Sequence, residues 1–526
     1  MRDFHMPGRS AVMATNGLCA TSHPLAAQAA VGILQDGGNA MDAAIAGAVI
    51  LGLAEPQMTG IGGDLFALVS PAGTDDVIAV NGSGRAPAAG TAAAMRAAGH
   101  ETVPKRDTPA VTIPGAIDAF CTMSERWGKL GLADSLQPAI RYMDEGIPVS
   151  ARVAWDWQRA EPLLQGHGRR HYLHAGGAIP QYGDIFALPG NAEVLRRVAA
   201  QGRDGFYKGE VADDMLATLN AMGGVHTEDD FASTACTIGD PIGGHYKGRE
   251  LLEHPPNGQG ATAILILNIL SQFDIASLDP FGAQRAHLEA EAAKLAYDAR
   301  NRFIADADHM TRLDHLLSMD TAKELAALID PKKAMASAAA VSEAVHKETI
   351  YITVVDRDRM SVSLIYSIFN DFGSGIASEK FGILFQNRGA GFTLQAGHPN
   401  EYGGGKRPMH TIIPAIVRDG GRVTMPFGVM GGQYQPNGHA RMLTNMTDFG
   451  MDPQAALDAP RSFAEGGKMQ LERGYSDAVR QELSDMGHDV VTPEVPLGGA
   501  QAILIHDNGV LEGASDPRKD GCAIGY

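Results

Sequence analysis

The chain changes character at residue 349. Residues 335–348 are small and polar, the composition of an exposed connector that tolerates cutting. The run that follows, Thr-Ile-Tyr-Ile-Thr-Val-Val at 349–355, is rich in β-branched residues and predicts a buried strand. Helical patterns dominate from about 113 to 335, and strand-like segments recur at 361–369 and 415–417. Both parts fit one architecture if the strands form two sheets that are flanked by helices.

Thr349 has two interpretations. It can be an ordinary strand-opening residue, or it can be the first residue released when the Glu348–Thr349 bond is cut. In the second case one residue supplies both a hydroxyl nucleophile and an α-amine, whose reference pKa of about 7.7 to 8.0 suits a general base. The same nitrogen is an amide in the uncut chain, so activity would wait for cleavage.

The first hundred residues predict a helix pair followed by a strand. Residues 23–34 have helical periodicity and end at Gly37-Gly38, and Asn39 is placed to cap the next helix. The apolar run 43–54 is too short to span a bilayer and is interpreted as a core helix. The loop 60–63 precedes a strand and lacks the GxGxxG spacing, so it is not a dinucleotide site.

Composition restricts the classes of partner. With 526 residues, 44% hydrophobic residues and 63 glycines, the chain has the composition of a tightly turned α/β protein with a sizeable core. The net charge of −18 disfavours nucleic acid and anionic membranes as partners.

The four cysteines, Cys19, Cys121, Cys236 and Cys522, have neither zinc-site nor disulfide-framework spacing. Reduced thiols and the lack of an apolar signal core in the first ten residues lead us to expect a cytoplasmic protein.

Several separated segments together resemble the gamma-glutamyltranspeptidase family of N-terminal nucleophile hydrolases. The resemblance covers nearly the whole chain, although its members are often exported. The matching segments are 20–29, 37–44, 59–64, 205–209, 349–358, 372–375, 406–409, Gly431-Gly432 and Asp516-Pro-Arg with the terminal Gly525-Tyr526. Their order and spacing carry the resemblance, since any one of them alone is weak evidence.

The resemblance implies an α/β fold, a four-layer α-β-β-α sandwich, and a precursor that cuts itself. Residues 1–348 would form the large subunit and residues 349–526 the small subunit, both within one sandwich domain. A homodimer of such heterodimers is left open. The implied reaction is acyl transfer from a small-molecule amide through a threonine acyl-enzyme, with no metal or organic cofactor.

The family pattern also assigns residues. Thr349 falls on the nucleophile, Ser367 on the hydroxyl that holds the Thr349 amine, and Gly431 and Gly432 on the oxyanion hole. Glycines suit that task because they let two N–H donors point at one oxygen. The glycine pair can also be a simple strand turn.

The substrate contacts depart from the family pattern. The arginine that binds the substrate α-carboxylate falls on Ser83, with Arg85 two positions later, and the acidic residue that binds the α-amino group falls on Gly391. His410 and Thr411 replace a serine pair, and an asparagine near the nucleophile falls on Phe369, beside Asn370.

These departures favour an acyl group without an ammonium, because a buried ammonium that lacks a carboxylate partner is costly. Arg85 and Arg388 are the candidates to hold an anionic acyl group such as a glutaryl or oxamate-like amide, and glutathione is expected to be a poor substrate. Surface or supporting roles remain open for both arginines, as does a purely structural role for His410. The short segment 397–406 predicts an open cleft and favours hydrolysis over transfer. The rival hypothesis is an uncut relative that only binds small acids or a protein.

Overall fold

The computed structural model describes residue 5, residues 8–335 and residues 349–526. Three parts used in the sequence analysis lie outside these ranges: most of the first ten residues, on which the cytoplasmic expectation rests, the connector beyond residue 335, and Glu348. Within it, no helix is both long enough and apolar enough to cross a membrane.

The strands fall in every third of the chain. In chain order they are β1 (Val12–Ala14), β2 (Leu18–Thr21), β3 (Asp64–Ser70), β4 (Ile78–Gly82), β5 (Ile147–Pro148), β6 (Ile185–Phe186), β7 (Thr237–Gly239), β8 (Ile242–Tyr246), β9 (Arg249–Glu253), β10 (Ile350–Val355), β11 (Ser361–Ser367), β12 (Ala415–Asp419), β13 (Arg422–Met430), β14 (Ser462–Glu465), β15 (Lys468–Leu471), β16 (Val490–Val491), β17 (Gly499–Ile505), β18 (Leu511–Ser515) and β19 (Cys522–Gly525).

Two antiparallel sheets of seven strands dominate. The first has the order β1-β18-β17-β13-β12-β9-β8, and the second has the order β19-β2-β10-β11-β3-β4-β7. Strands from before and after residue 349 therefore lie side by side in both sheets. The predicted division at 348/349 separates two pieces of one folded body, because each sheet needs strands from both.

Helices cover the outer faces of the sheets. They are α1 (Pro24–Gln35), α2 (Ala40–Ala54), α3 (Ala92–Ala97), α4 (Ala116–Trp127), α5 (Leu132–Glu145), α6 (Ala151–Ala160), α7 (Gly166–Tyr172), α8 (Pro189–Gln201), α9 (Asp204–Tyr207), α10 (Gly209–Ala221), α11 (Glu228–Ala232), α12 (Gly260–Leu270), α13 (Ala283–Phe303), α14 (Leu313–Leu317), α15 (Met319–Ala326), α16 (Gln435–Phe449), α17 (Pro453–Asp458) and α18 (Asp477–Asp485).

The central strands are buried on both faces, as the alternation of their side chains shows. In β10, Ile350, Ile352 and Val354 belong to the core that the second sheet shares with its helices. Tyr351 points the other way and packs between the two sheets with Met430. The first sheet shares its outer core with α12, α13 and α16. The layers are therefore helix, sheet, sheet, helix, which confirms the predicted four-layer sandwich.

The close approach of the sheets requires a glycine in β13. A Cβ atom at Gly428 would lie 2.4 Å from Cε2 of Tyr351, nearer than a real contact allows. Gly428 therefore lets the Tyr351 ring lie between the sheets.

Local predictions agree well with the structure where caps and strong periodicity set them. The side chain of Asn39 accepts hydrogen bonds at the start of α2 in a complete capping box, and every residue of α2 is buried. The prediction of a strand at 350–355 matches β10.

The prediction of helix through 113–335 was incomplete. β7, β8 and β9 lie inside that region, and β8 and β9 form one edge of the first sheet. Conversely, the part predicted to be rich in strands contains α16, a helix of 15 residues.

Candidate active site

Thr349 stands directly before β10, with its side chain only 1% exposed. Its Oγ1 has no hydrogen-bond partner among the described residues. Most buried polar atoms are satisfied, so an unpartnered buried hydroxyl asks for an explanation. One explanation is that this hydroxyl is a nucleophile that attacks a substrate carbonyl.

The strand register places three polar residues in one row across the second sheet. Ile350 pairs with Tyr366, so continuing the β10–β11 ladder by one step sets Thr349 opposite Ser367. Ser367 in turn pairs with Asp64 on β3. Directly opposed residues of antiparallel strands have Cβ atoms about 4.5 to 5.5 Å apart. Ser367, the hydroxyl predicted to hold the Thr349 amine, thus lies on the adjacent strand directly across from Thr349.

Ser367 is buried and accepts two hydrogen bonds. Its Oγ accepts from the main-chain N–H of Phe369 at 3.0 Å and from Nη2 of Arg388 at 3.2 Å. A hydroxyl also has one proton to donate. Ser367 is therefore a polar group that can contact an amine at Thr349.

Arg388 is a fully buried cation at the centre of this cluster. Besides Ser367, it donates through Nη1 to Oγ1 of Thr411 at 3.0 Å, and it lies 4.1 Å above the ring of Phe369. Burial lowers the pKa of Arg388 to about 9, against the opposing effect of Asp64, so the group is still charged at neutral pH. Its Nε has no partner in the described part of the chain, which leaves a donor free for a ligand.

Phe369 holds its ring over Arg388 from a left-handed backbone conformation. Its φ is +81°, which non-glycine residues rarely adopt and which costs of order 1 to 3 kcal/mol. Asn370 follows, and its Oδ1 accepts from Nδ2 of Asn387 at 2.9 Å. Nδ2 of Asn370 is buried and has no partner among the described residues, so Asn370 also offers a donor to a ligand.

Asp64 lies behind this cluster and binds three donors. Its Oδ1 accepts from the N–H of Gly84 at 2.8 Å and from Nε2 of Gln386 at 2.7 Å. Its Oδ2 lies 3.1 Å from Nε2 of His410. Burial raises the pKa of Asp64 to about 6, although Arg388 and these hydrogen bonds lower it. Asp64 is thus the carboxylate that faces the buried Arg388 charge.

Both ring nitrogens of His410 have partners in this arrangement. Nδ1 accepts from the N–H of Ile412 at 3.4 Å, which leaves Nε2 to carry the proton donated to Asp64. Burial and the nearby Arg388 charge lower the pKa of His410 well below its usual value, so the ring is neutral. This is the satisfied histidine that the sequence left as an alternative.

Gly431 and Gly432 form a left-handed turn where β13 ends. Their φ angles are +116° and +54°, and a Cβ at Gly431 would lie 2.9 Å from Cα of Gly498. α16 begins a few residues later, so the N–H groups of this turn lie near the positive end of a helix dipole. Such a turn can present two N–H groups to one oxygen.

The structure does not bring Arg85 into this cluster. Its Nη1 donates to Oδ2 of Asp306 at 3.3 Å and to the carbonyl of Gly405 at 2.9 Å, and its side chain is 40% exposed. Ser83 is buried and hydrogen-bonded to Asn81 at 2.7 Å. Of the two predicted arginines, only Arg388 contacts a residue of the row.

Gly391 has no room for an acidic side chain. A Cβ built there would lie 2.6 Å from the carbonyl oxygen of Met409. The position where the family pattern has its ammonium-binding carboxylate is therefore filled by main chain.

Sequence reasoning missed Gln259, which connects the parts of the site. Its Nε2 donates to the carbonyls of Thr411 at 2.6 Å and Gly432 at 2.9 Å, and its Oε1 accepts from Nη1 of Arg300 at 2.7 Å. The only sequence signal was its position in the Pro-Pro-Asn-Gly-Gln-Gly loop. Asp64 was similarly visible only as the last residue of the Gly-Ile-Gly-Gly-Asp segment.

One group of potential metal ligands occurs in the described part of the chain. It consists of His287, Glu291 and His488. Nδ1 of His287 lies 2.8 Å from Nε2 of His488, and Glu291 is paired with Lys294 at 2.6 Å. The ligand atoms already bind one another and a lysine, so this cluster is stable without a cation.

Comparisons relate the chain to known proteins. The family model described as gamma-glutamyltranspeptidase matches residues 26–526. The chain is 35% identical to a glutathione hydrolase-like proenzyme, YwrD, of Bacillus subtilis, over 98% of this chain and 99% of that protein. It is 34% identical to the oxamate amidohydrolase proenzyme of Klebsiella pneumoniae, over 98% of this chain and all of that one.

The solved structure of a cephalosporin acylase from Bacillus halodurans superposes on all of this chain. The TM-score is 0.93, the sequence identity is 36%, and 99% of the acylase is covered.

Proposed function

Because the chain belongs to the gamma-glutamyltranspeptidase family of self-processing hydrolases, we propose that Thr349 is its nucleophile and that its substrates are amides with a small anionic acyl half that lacks an ammonium group. Cleavage of the Glu348–Thr349 bond would yield a large subunit, 1–348, and a small subunit, 349–526.

The two pieces would stay together after the cut. Both large sheets contain strands from each piece, and the interior between the sheets is shared. In the intact chain Thr349 is 1% exposed and Arg388 is fully buried, so substrate cannot reach them. We infer that the site becomes accessible to substrate only after the chain is cut.

The row across the second sheet supports the first chemical step. Oγ1 of Thr349 attacks the amide carbonyl and gives its proton to its own α-amine, which Ser367 positions. The carbonyl oxygen becomes an oxyanion that the N–H groups of Gly431 and Gly432 stabilise. The C–N bond then breaks, and the departing amine takes the proton from the α-amine.

The second step returns the enzyme to its starting state. Water attacks the acyl-threonine, and the α-amine takes one proton from it. The ester C–O bond then breaks and the α-amine passes that proton to Oγ1, which releases the acid and regenerates both the hydroxyl and the free amine. The segment 397–406 is compact, since Nζ of Lys406 donates to the carbonyls of Pro399 and Glu401, both at 2.9 Å. Such a short segment leaves room for water and favours hydrolysis over transfer.

Two residues, Arg388 and Gly391, support the proposal for the acyl half. Arg388 supplies a buried cation with an unused Nε–H donor, which suits a carboxylate. Gly391 offers no carboxylate for an ammonium, and its surroundings leave no space for one. A glutaryl or oxamate-like acyl group satisfies this site, whereas a gamma-glutamyl group brings an ammonium without a partner.

Two measurements test the proposal. The intact masses of the wild-type protein should be those of 1–348 and 349–526, and Thr349→Ala should give one uncut, inactive chain. Two fragments from Thr349→Ala would refute the assignment of the nucleophile.

The second measurement compares glutaryl-p-nitroanilide with gamma-glutamyl-p-nitroanilide, which differ only by the α-ammonium. An unpaired ammonium in this site costs about 2 kcal/mol or more, so we expect kcat/KM to be at least about 30-fold higher for the glutaryl amide. Faster turnover of the gamma-glutamyl amide would contradict the assignment of the acyl site.

A further inference from the structure

A cavity of about 230 Å³ lies beside Gln433, the residue that follows the glycine pair. Tyr297 and Phe463 form an aromatic wall, with their rings in edge-to-face contact at 5.7 Å. The hydroxyl of Tyr297 donates to the carbonyl of Gln433, which ties this wall to the turn. A flat organic group can therefore occupy the cavity next to the oxyanion turn.

Gln259 sets the position of this cavity relative to the acyl site. The Nε2 end of its amide holds Thr411, the partner of Arg388, together with Gly432. The Oε1 end holds Arg300, which lines the cavity. One buried amide thus connects Arg300 with the glycine turn and with Thr411, the partner of Arg388.

Arg300 is a buried cation whose hydrogen bonds all go to neutral oxygens. It is 3% exposed and donates to the side-chain amide oxygens of Gln259, Gln433 and Asn301. No carboxylate in the described residues forms an ion pair with it, and the charge of Glu465, which also lines the cavity, raises its pKa. Burial lowers the pKa of Arg300 to about 10, so it is charged at neutral pH.

The other cations of the cavity are already neutralised. Lys294 pairs with Glu291 at 2.6 Å, and Lys468 pairs with Asp489. Among the described residues that line this cavity, Arg300 is therefore the cation that lacks a paired carboxylate. Charged hydrogen bonds to a carboxylate are stronger than those to amides.

We propose that this cavity binds the amine half of the substrate and that Arg300 recognises a carboxylate on that half. This inference rests on the proposed function, because it requires the scissile amide to lie between Arg388 and the cavity. The substrate class is then an amide formed between a small anionic acid and a carboxylate-bearing amine, such as an amino acid or an aminobenzoate.

Binding of the released amine tests this without depending on catalysis. 4-Nitroaniline and 5-amino-2-nitrobenzoate differ by one carboxylate, and both absorb visible light. By equilibrium dialysis against the purified wild-type protein, we expect the carboxylated amine to bind at least about tenfold more tightly. Equal or weaker binding of the carboxylated amine would overturn the proposal.

Substitution then assigns the effect to Arg300. Arg300→Gln should bring the ratio of the two dissociation constants close to one. Arg302→Gln is the matched control, because Arg302 lies on the same helix with a 64% exposed side chain and its loss changes the net charge equally. An unchanged ratio in Arg300→Gln would exclude Arg300 as the residue that binds the carboxylate. If that variant does not fold, the ratio of the two dissociation constants in the wild-type protein still decides whether the cavity prefers a carboxylated amine.

Turnover separates this inference from the proposed function. The glutaryl amides of the two amines should differ in kcat/KM in the same direction as the amines differ in binding. If both amides are cleaved equally well, the amine site is refuted while the hydrolase remains. If neither is cleaved although the binding ratio holds, the acyl half has been wrongly assigned.

Discussion

Replacing Arg388 by lysine should weaken recognition of an anionic acyl group while keeping the positive charge. The guanidinium has five N–H donors, and its bonds to Thr411 and Ser367 use two of them. The remaining donors include the unpartnered Nε–H, so both oxygens of a carboxylate can be bound at once. An ammonium offers a single point of contact and does not stack on Phe369 in the same way.

The expected loss follows from the number of hydrogen bonds. A hydrogen bond to a charged group contributes about 1.5 to 3 kcal/mol, so losing one of two such bonds costs about 2 kcal/mol. This corresponds to a fall of roughly 30-fold in kcat/KM for glutaryl-p-nitroanilide. Valeryl-p-nitroanilide has the same chain length without the carboxylate, and the Arg388→Lys substitution should change its kcat/KM much less.

The ratio of the two substrates is the decisive reading, because it cancels any general damage near Ser367. Intact mass gives the cleaved fraction, to which the rates are normalised. Arg85→Lys is the control, since Arg85 is the other arginine that the sequence offers, and its contacts are to Asp306 and Gly405. A loss of glutaryl preference in Arg85→Lys but not in Arg388→Lys would refute the assignment of the acyl site.

Three further outcomes are expected. Gly431→Ala should lower the kcat of the cleaved protein by about 100-fold or more with little change in KM. A Cβ there meets Gly498 and displaces an oxyanion donor worth about 2.7 to 4 kcal/mol. An unchanged kcat would exclude this turn as the oxyanion hole. Arg388→Met should shift the acidic limb of the pH profile of kcat/KM for valeryl-p-nitroanilide to higher pH. A nearby cation lowers the pKa of the Thr349 amine, so removing Arg388 raises that pKa. If the limb does not move, the Thr349 amine is not the general base. The pKa of Asp64 is raised to about 6 by burial, so ionising Asp64 costs folded-state stability as pH rises from about 4 to 6. This is measured by urea unfolding of the uncut Thr349→Ala variant and of the same chain carrying Asp64→Asn in addition. The free energy of unfolding of the first minus that of the second should fall by up to about 3 kcal/mol between pH 4 and pH 7. A difference that stays constant would contradict the raised pKa of Asp64.

Sequence reasoning succeeded where a signal is local. The cap at Asn39, the apolar length of α2 and the β-branched run of β10 each determine their own element, and the structure agrees. It failed for β8 and β9, a hairpin closed by the Lys247-Gly248 turn, because Gly243 and Gly244 weaken the strand pattern of β8 and because β9 also depends on β12, much later in the chain.

The residues of the site also fall into those that the sequence predicted and those that only the structure revealed. Thr349, Ser367 and the glycine pair were candidates because their spacing fits a known pattern. Asp64 and Gln259 were not, since their roles arise from contacts across more than 150 positions of sequence. Sequence could not rank Arg85 against Arg388 either, because only the packed structure shows that one is bonded to Asp306 and the other is buried beside Ser367.

The two buried cations of the site, Arg388 and Arg300, also indicate how a substrate would be positioned. A buried arginine with an unused donor is unfavourable unless something compensates it, and Asp64 compensates Arg388 only in part, because burial also raises the pKa of Asp64. Arg300 has no paired carboxylate among the described residues. A substrate with a carboxylate on each side of its amide bond would neutralise both cations and hold the carbonyl near the glycine turn. Binding energy from the two ends of the substrate would then position the scissile bond in the middle, which is how groups remote from the reaction contribute to its rate.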